Sequence, residues 1–298
     1  MEVRIHPQSL VSPKAKIGQD VQIGPFCVVE DNVEIGDGCC LEARVTVHRD
    51  TVMGTNNHLF EGATIGGLPQ CVGIGDTCGS VVIGNGNMIR ENVTIHRAMG
   101  EADATEIGDN CMFMVNAHIA HDCRISDNVI MANNTMLAGH VTVGRRAFIS
   151  GAVGVHQFCR IGAFAMVGGQ SHIVKDIPPF LLVDGLTSEI VGLNNVGLRR
   201  AGFSSDEIKE IKAVYRVLYQ SSLPWREIVN KIQSDFTSGP GLEMASFIGT
   251  TTRGITPERH TARHPAIVMP EEKAIHLHVV TEEEESAIAS PYRRRVVG

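Results

Sequence analysis

The sequence predicts a mainly β fold, a parallel β-helix of six-residue repeats followed by a small helical domain. Three observations predict it: a large apolar residue at every sixth position, a small residue two places before it, and the end of that period at Asp176-Ile177-Pro178-Pro179-Phe180. Stepping by six from Ile5 meets Val11, Ile17, Ile23, Val29, Ile35 and Leu41, and ends on Ile161, Val167 and Ile173. Of 29 such steps 26 carry a large apolar residue, the exceptions being Cys71, Thr77 and Glu101, which neither a helical nor a simple alternating period produces. Gly often follows the large residue (Gly18, Gly24, Gly36, Gly66, Gly84, Gly108, Gly144, Gly162, Gly168), where a positive φ or a tight corner is expected. Six residues make a short strand and a corner. Three sides close a coil of about 18 residues, and roughly nine or ten coils stack so that each buries its neighbour's interior.

The small position reads Cys27, Cys39, Cys111, Cys123 and Cys159 among Val, Ala and Thr. These five thiols are read as buried and reduced, since a small inward site suits them and no C-x-x-C pair occurs. Two interruptions, about 67–80 and 98–105, keep the phase and are expected to be loops extruded between intact coils, places where binding residues collect. Beyond the repeat, Ser204 with Glu207 reads as a capping box, and Ile208, Ile211, Tyr215 and Leu218 as a helical stripe. A second helix is expected from Pro224 with Ile228, Val229, Ile232 and Phe236, and a third over 241–248. The domain boundaries drawn are 1–187 for the β-helix, 188–255 for the helices, and 256–298 for a disordered tail that includes Glu282–Glu285 and Arg293-Arg294-Arg295.

A formal charge of −7 argues against a nucleic-acid binder, which needs clustered Lys and Arg. No signal peptide and no transmembrane segment are expected, and the reading is cytoplasmic. The chemistry concentrates in histidines. His118 and His121 flank inward-facing Ile119, His140 follows His121 by 19 residues, and His156 follows His140 by 16. At one coil per 18 residues or so they return to nearly one vertical strip. Such a strip can supply a general base, with Asp122 beside His121 to set its tautomer, or a three-histidine zinc site.

The hexads, together with His118-Ile119-Ala120-His121-Asp122-Cys123, Leu137-Ala138-Gly139-His140, Val155-His156-Gln157-Phe158-Cys159 and Met166-Val167-Gly168-Gly169, resemble the UDP-N-acetylglucosamine O-acyltransferase family of lipid A biosynthesis. Ile89–Arg97 and the helical Gly197-Leu198-Arg199-Arg200 add to the resemblance, which covers about residues 3–255. It implies a left-handed coil, a homotrimer with sites between subunits, and transfer of an R-3-hydroxyacyl group from acyl carrier protein to the 3-hydroxyl of UDP-N-acetylglucosamine, with no cofactor and no metal. By the same resemblance His121 is the general base, Asp122 orients it, and the Gly139 N–H supports the oxyanion. Gln70, His118, His140, His156 and Gln157 contact the sugar nucleotide. Asn194, Arg200 and Arg253 engage the nucleotide or the acidic carrier, and Gly169 limits the acyl chain.

The chain departs from the family where an Asp and a Lys of the loop after Ile65 hold the sugar; Cys71 and Gly73 stand there, with Gln70 retained. Loss of hydrogen bonds to charged groups, worth about 1.5–3 kcal/mol each, is expected to weaken or alter acceptor binding. His172, near the acyl ruler, replaces a small residue. The alternatives carried are therefore a 3-amino or other sugar-nucleotide acceptor, and a zinc-dependent β-helix enzyme like the γ-carbonic anhydrases.

Overall fold

A computed structural model describes residues 3–72 and 78–259 of the chain. Three parallel sheets run the length of a left-handed column. Side A carries strands from Arg4–Ile5 to Met166–Val167, side B from Leu10–Val11 to His172–Ile173, and side C from Lys16–Ile17 to Arg160–Ile161. The chain visits A, B and C in turn, and each strand pairs with the one on the next coil: Leu10 lies beside Val28, and Lys16 beside Glu34. Successive coils are stitched by backbone bonds such as Arg4 N–H to Val21 O at 2.9 Å. Ile5, Val11 and Ile17 line the open lower end, while Leu41, Ile65, Phe113 and Leu137 are fully buried.

The five inward cysteines are buried and free. Their thiols donate to carbonyls of the neighbouring coil, Cys123 to Ala138 O at 3.2 Å, and burial pushes the Cys111 thiol up to about 11 and Cys123 up to about 12. Asn57 and Asn87 also point inward, and the Asn87 Nδ2 donates to Asn57 Oδ1 at 2.9 Å. This satisfies amides that burial would otherwise penalise.

Of the glycines after the large residue, Gly66 has the expected positive φ (77°), while the others named do not; the other left-handed residues mostly stand three places after the large one, as at Asp122 (φ 59°) and His140 (φ 60°). What requires glycine at Gly162 and Gly144 is the stacking distance: a Cβ on Gly162 would lie 2.2 Å from the Pro179 nitrogen, and one on Gly144 2.5 Å from the Ala163 nitrogen.

Both extruded loops leave at the same corner, between sides B and C. One joins Thr64–Gly67 to Ser80–Ile83 and the other Thr94–His96 to Ala104–Ile107. At the upper end the chain does not pass straight into helices. Leu181–Val183 adds a parallel strand to side A and Ile190–Leu193 returns antiparallel to it. This hairpin covers the last coil's edge of side A, and it escapes the six-residue period because it no longer winds. Helices α1 (Asn195–Arg200), α2 (Ser205–Gln220), α3 (Trp225–Asp235) and α4 (Gly239–Gly249) follow, with the Ser204–Glu207 capping box formed. Arg160 ties them to the coils, bonding Asp176 Oδ2 at 2.9 Å and Phe247 O at 2.9 Å. Among the described residues no helix is long and apolar enough to cross a membrane.

The tail boundary moves. Thr256 N–H donates to Asp176 O at 2.8 Å, Tyr219 OH to Thr256 O at 2.9 Å, and Tyr215 OH to Glu258. Residues 256–259 are thus held to the fold by pairing that no apolar pattern announces. The rest of the expected tail, 260–298, lies outside the described residues.

Gly162→Ala should destabilise the protein by about 1–3 kcal/mol, the usual cost of overpacking. Gly154→Ala, where a Cβ meets nothing within 4 Å, should leave urea unfolding nearly unchanged. A second expectation concerns His96, which is buried with no partner for its Nδ1 among the described residues. Burial first, then the imidazoles of His118, His121 and His48, push its pKa down to about 4. The unfolded imidazole takes a proton near 6.5 and the folded one near 4, so the unfolded state binds more protons between these values. Stability is therefore full above pH 6.5 and falls by about 3 kcal/mol as the pH drops to 4. Denaturant unfolding across that range should show a shallower loss in His96→Gln.

Candidate active site

The corner between sides B and C stacks three adjacent columns. Ala120, Ala138 and His156 form one; His121, Gly139 and Gln157 the next; Asp122, His140 and Phe158 the third, each a coil apart. The register is held by backbone bonds, among them His140 N–H to His121 O at 3.0 Å and Phe158 N–H to Gly139 O at 3.1 Å. The expected strip is thus one corner, but His121, His140 and His156 occupy three neighbouring columns rather than one.

His121 is almost fully buried. Its Nδ1 lies 2.7 Å from Asp122 Oδ2, and since an ionised carboxylate only accepts, Nδ1 carries the proton and Nε2 presents its lone pair. Asp122 is fixed in turn: its backbone N–H donates to Thr105 Oγ1 at 2.8 Å, and the Met99 N–H donates to its Oδ2 at 3.3 Å. Its left-handed backbone aims the carboxylate back at its own neighbour. Gly139 lies directly above, so close that a Cβ would stand 2.3 Å from His121 Cε1. Among the described residues nothing accepts from the Gly139 N–H, which leaves a free donor beside the base.

The His121 Nε2 opens into a groove of about 450 Å³ along side B. Gln70, His118, His156 and Gln157 line it, as expected, together with Met136, Gly154 and His172 on the side-B ladder. His118 Nδ1 is 2.7 Å from Thr94 Oγ1; burial, then the nearby His121, lowers its pKa, so it acts as a neutral hydrogen-bonding group. The His140 ring meets His121 edge-on at 5.2 Å and stacks on Phe158 at 4.5 Å. His121, Asp122 and His140 offer donor atoms within 4.8 Å of one another. His156 turns its Nδ1 to Gln157 O at 3.1 Å instead, so the three-histidine zinc set is not assembled.

Cys71 makes the contact that sequence spacing hid: its Sγ lies 3.3 Å from His121 Nε2 and 3.7 Å from Met99 Sδ. Gly73 falls outside the described residues. Gly169 sits at the corner between sides A and B, with Gly151 O 3.3 Å from the place of a Cβ. Arg253 crowns the corner, donating through Nε and Nη2 to Val174 O at 3.1 Å, one coil above His156. Asn194 and Arg200 are not brought to the histidines. They line a separate groove of about 670 Å³ on upper side A with Met112, Phe148 and Met166. Asn194 there caps α1, its Oδ1 accepting from Gly197 N–H at 3.0 Å and its Nδ2 donating to Phe164 O at 2.9 Å.

Residues 14–49 and 104–139 match the bacterial transferase hexapeptide family, and residues 176–256 match the family described as Udp N-acetylglucosamine O-acyltransferase, domain 2. An acyl-[acyl-carrier-protein]–UDP-N-acetylglucosamine O-acyltransferase of Burkholderia orbicola is 40% identical over 85% of this chain and 98% of its own length. The protein of the same name from Thermodesulfovibrio yellowstonii is 44% identical over 84% and 98%. Among solved structures, the UDP-N-acetylglucosamine acyltransferase of Francisella novicida superposes with a TM-score of 0.83 at 38% identity, covering 86% of this chain and 95% of that one. The Bacteroides fragilis enzyme gives 0.81 at 37% identity, with 84% and 99% covered. The chain belongs to the acyl-[acyl-carrier-protein]–UDP-N-acetylglucosamine O-acyltransferase family.

Proposed function

We propose that this chain transfers an R-3-hydroxyacyl group from acyl carrier protein to the 3-hydroxyl of UDP-N-acetylglucosamine, the first step of lipid A biosynthesis, as a cytoplasmic homotrimer without a cofactor. The observation that carries the reading is the His121 imidazole, held by Asp122 at Nδ1, turned into the groove at Nε2 where only the Cys71 thiol meets it among the described residues, and covered by Gly139. His121 Nε2 takes the proton of the sugar 3-hydroxyl as its oxygen attacks the thioester carbonyl. The Gly139 N–H bonds the developing oxyanion, a contribution of about 10²–10³ in rate for one such donor. Collapse of that intermediate breaks the C–S bond, and the departing thiolate of the carrier's prosthetic arm takes the proton back from Nε2.

The groove also suits the donor. Met136, about half exposed (53%), gives the groove an apolar floor for an acyl chain running past Gly154 toward His172. Arg253, at the top of the corner, supplies a cation for the acidic carrier or the phosphate of its arm. The trimer is supported by the position of Arg200: it is on side A, in a groove that shares no residue with the histidine groove. A neighbour presenting side A to this corner would bring the two halves together. A 3-amino acceptor is the second reading. A carboxylate beside Nε2 would hold an amine in its protonated, non-nucleophilic form, and position 71 carries a thiol in its place.

His121→Ala should lower transfer by about 10²–10⁴ with the β circular dichroism intact; a rate near that of the unaltered protein would remove the base assignment. Steady-state assays with the 3-hydroxy and 3-amino sugar nucleotides decide the acceptor. Co-expression of two inactive variants, His121→Ala and Arg200→Ala, should restore about a quarter of the activity, because a ring of heterologous interfaces pairs an intact His121 with an intact Arg200 at that frequency. A site confined to one chain would give no recovery.

A further inference from the structure

A second cluster of donor atoms stands on side A near the lower end of the column, away from the histidine corner. Cys40 and His58 are register partners on adjacent coils. Cys40 is the cysteine of the repeat that points outward from its strand, beside the inward Leu41. Glu42, at the corner that follows, turns back over them. Its Oε1 lies 3.7 Å from Cys40 Sγ and 2.9 Å from His58 Nε2. The three donor atoms all lie within 4.8 Å of one another.

From the geometry we propose that Cys40, Glu42 and His58 form a zinc-binding site unrelated to acyl transfer. Zinc bonds of about 2.3 Å to sulfur and 2.0–2.1 Å to nitrogen and oxygen, at tetrahedral angles, set donors about 3.6 Å (S to O) and about 3.4 Å (N to O) apart. The sulfur–oxygen separation already has that value, and the nitrogen and oxygen need to part by a few tenths of an ångström as the metal replaces the proton between them. A mixed set of thiolate, imidazole and carboxylate selects zinc over calcium or magnesium, which take all-oxygen shells. Thiolate and carboxylate together balance the ion's two charges. The cluster opens onto a groove of about 550 Å³ lined by Gln22 and Arg4, which gives a water room to be the fourth ligand.

Two features prepare the site. The β-helix register fixes the Cα positions of Cys40 and His58 across a hydrogen-bonded ladder, so the backbone needs no ordering on binding. The His58 ring is stacked on Phe60 at 4.1 Å, which is in turn covered by the Arg90 guanidinium at 4.4 Å; this holds the imidazole plane. The exchange balances simply: Zn²⁺ displaces one proton from the Cys40 thiol to solvent, and the His58 proton moves from Nε2 to Nδ1 through solvent. The bound ion would staple the third coil to the fourth, just above the open end where Ile5 and Leu10 are exposed.

The test uses the full chain, stripped with a chelator and titrated with Co²⁺ as a spectroscopic stand-in for zinc, then with Zn²⁺. One equivalent of Co²⁺ should produce a near-ultraviolet thiolate-to-metal band and tetrahedral visible bands, displaced by Zn²⁺. Cys40→Ser and His58→Ala should weaken binding by more than about 100-fold and lose the rise in unfolding temperature that zinc gives the unaltered protein. Circular dichroism of each variant checks the fold, and Cys71→Ser serves as a control for the other histidine-linked thiol. Absence of the band in the unaltered protein, or its persistence in Cys40→Ser with loss in Cys71→Ser, overturns the proposal. Acyl transfer is assayed separately and does not bear on the outcome.

Discussion

The coil-to-coil register is the constraint on which the rest of this molecule depends. Each side is two paired residues and a turn, so a strand gains its hydrogen bonds only from the coils above and below. No coil is stable alone, and none can slip without turning its large inward residue out. The interior accommodates this with one large and one small side chain per side, and the close stacking excludes a Cβ at Gly144 and Gly162. A column so built is rigid, and its outward positions are rigid with it. That is how Gly139 comes to stand over His121, an arrangement set by backbone bonds rather than by side-chain packing.

The chemistry of the corner then follows from which nitrogen of His121 is engaged. Asp122 Oδ2 accepts the hydrogen bond of Nδ1–H at 2.7 Å and is itself almost buried, so the imidazole has one orientation and one tautomer. A cation forming at His121 during proton transfer is offset by that carboxylate at contact distance. His118 and His96, in contrast, are driven toward neutrality by burial and by their fellow imidazoles. Of the three, only His121 has a carboxylate at contact distance from its ring.

Much of this was legible in the sequence because a strict period converts residue number into position. The six-residue step located the column, the loops that keep phase, the inward cysteines and the corner that gathers His121, His140 and His156. The spacings of 19 and 16 residues, one more and two fewer than a coil of 18, already set the three histidines in neighbouring columns rather than in one. Backbone conformation accounts for Gly66, whereas stacking distance decides Gly144 and Gly162. The hairpin of Leu181–Val183 and Ile190–Leu193 escaped for lack of a period, and residues 256–259 because β pairing carries no composition signal. The contact of Cys71 with His121, fifty residues away, belongs to a loop whose path no repeat constrains.

The extruded loops both leave at the corner where the histidines stand, and Gln70 and Cys71 of the first border a groove whose floor is coil. Cys71 stands at Nε2, and in the proposed transfer, where Nε2 receives the acceptor's proton, an acceptor has to displace the thiol to bind productively. A carboxylate at that place would attract hydroxyl donors and hold ammonium groups; a thiol does neither strongly, and its hydrogen bond is weak enough to yield. On the proposed mechanism, acceptor preference rests on the loop, while the power to deprotonate rests on the column. The two are physically separable, because the Asp122–His121 pair is built entirely from coil residues and does not need the loop to form.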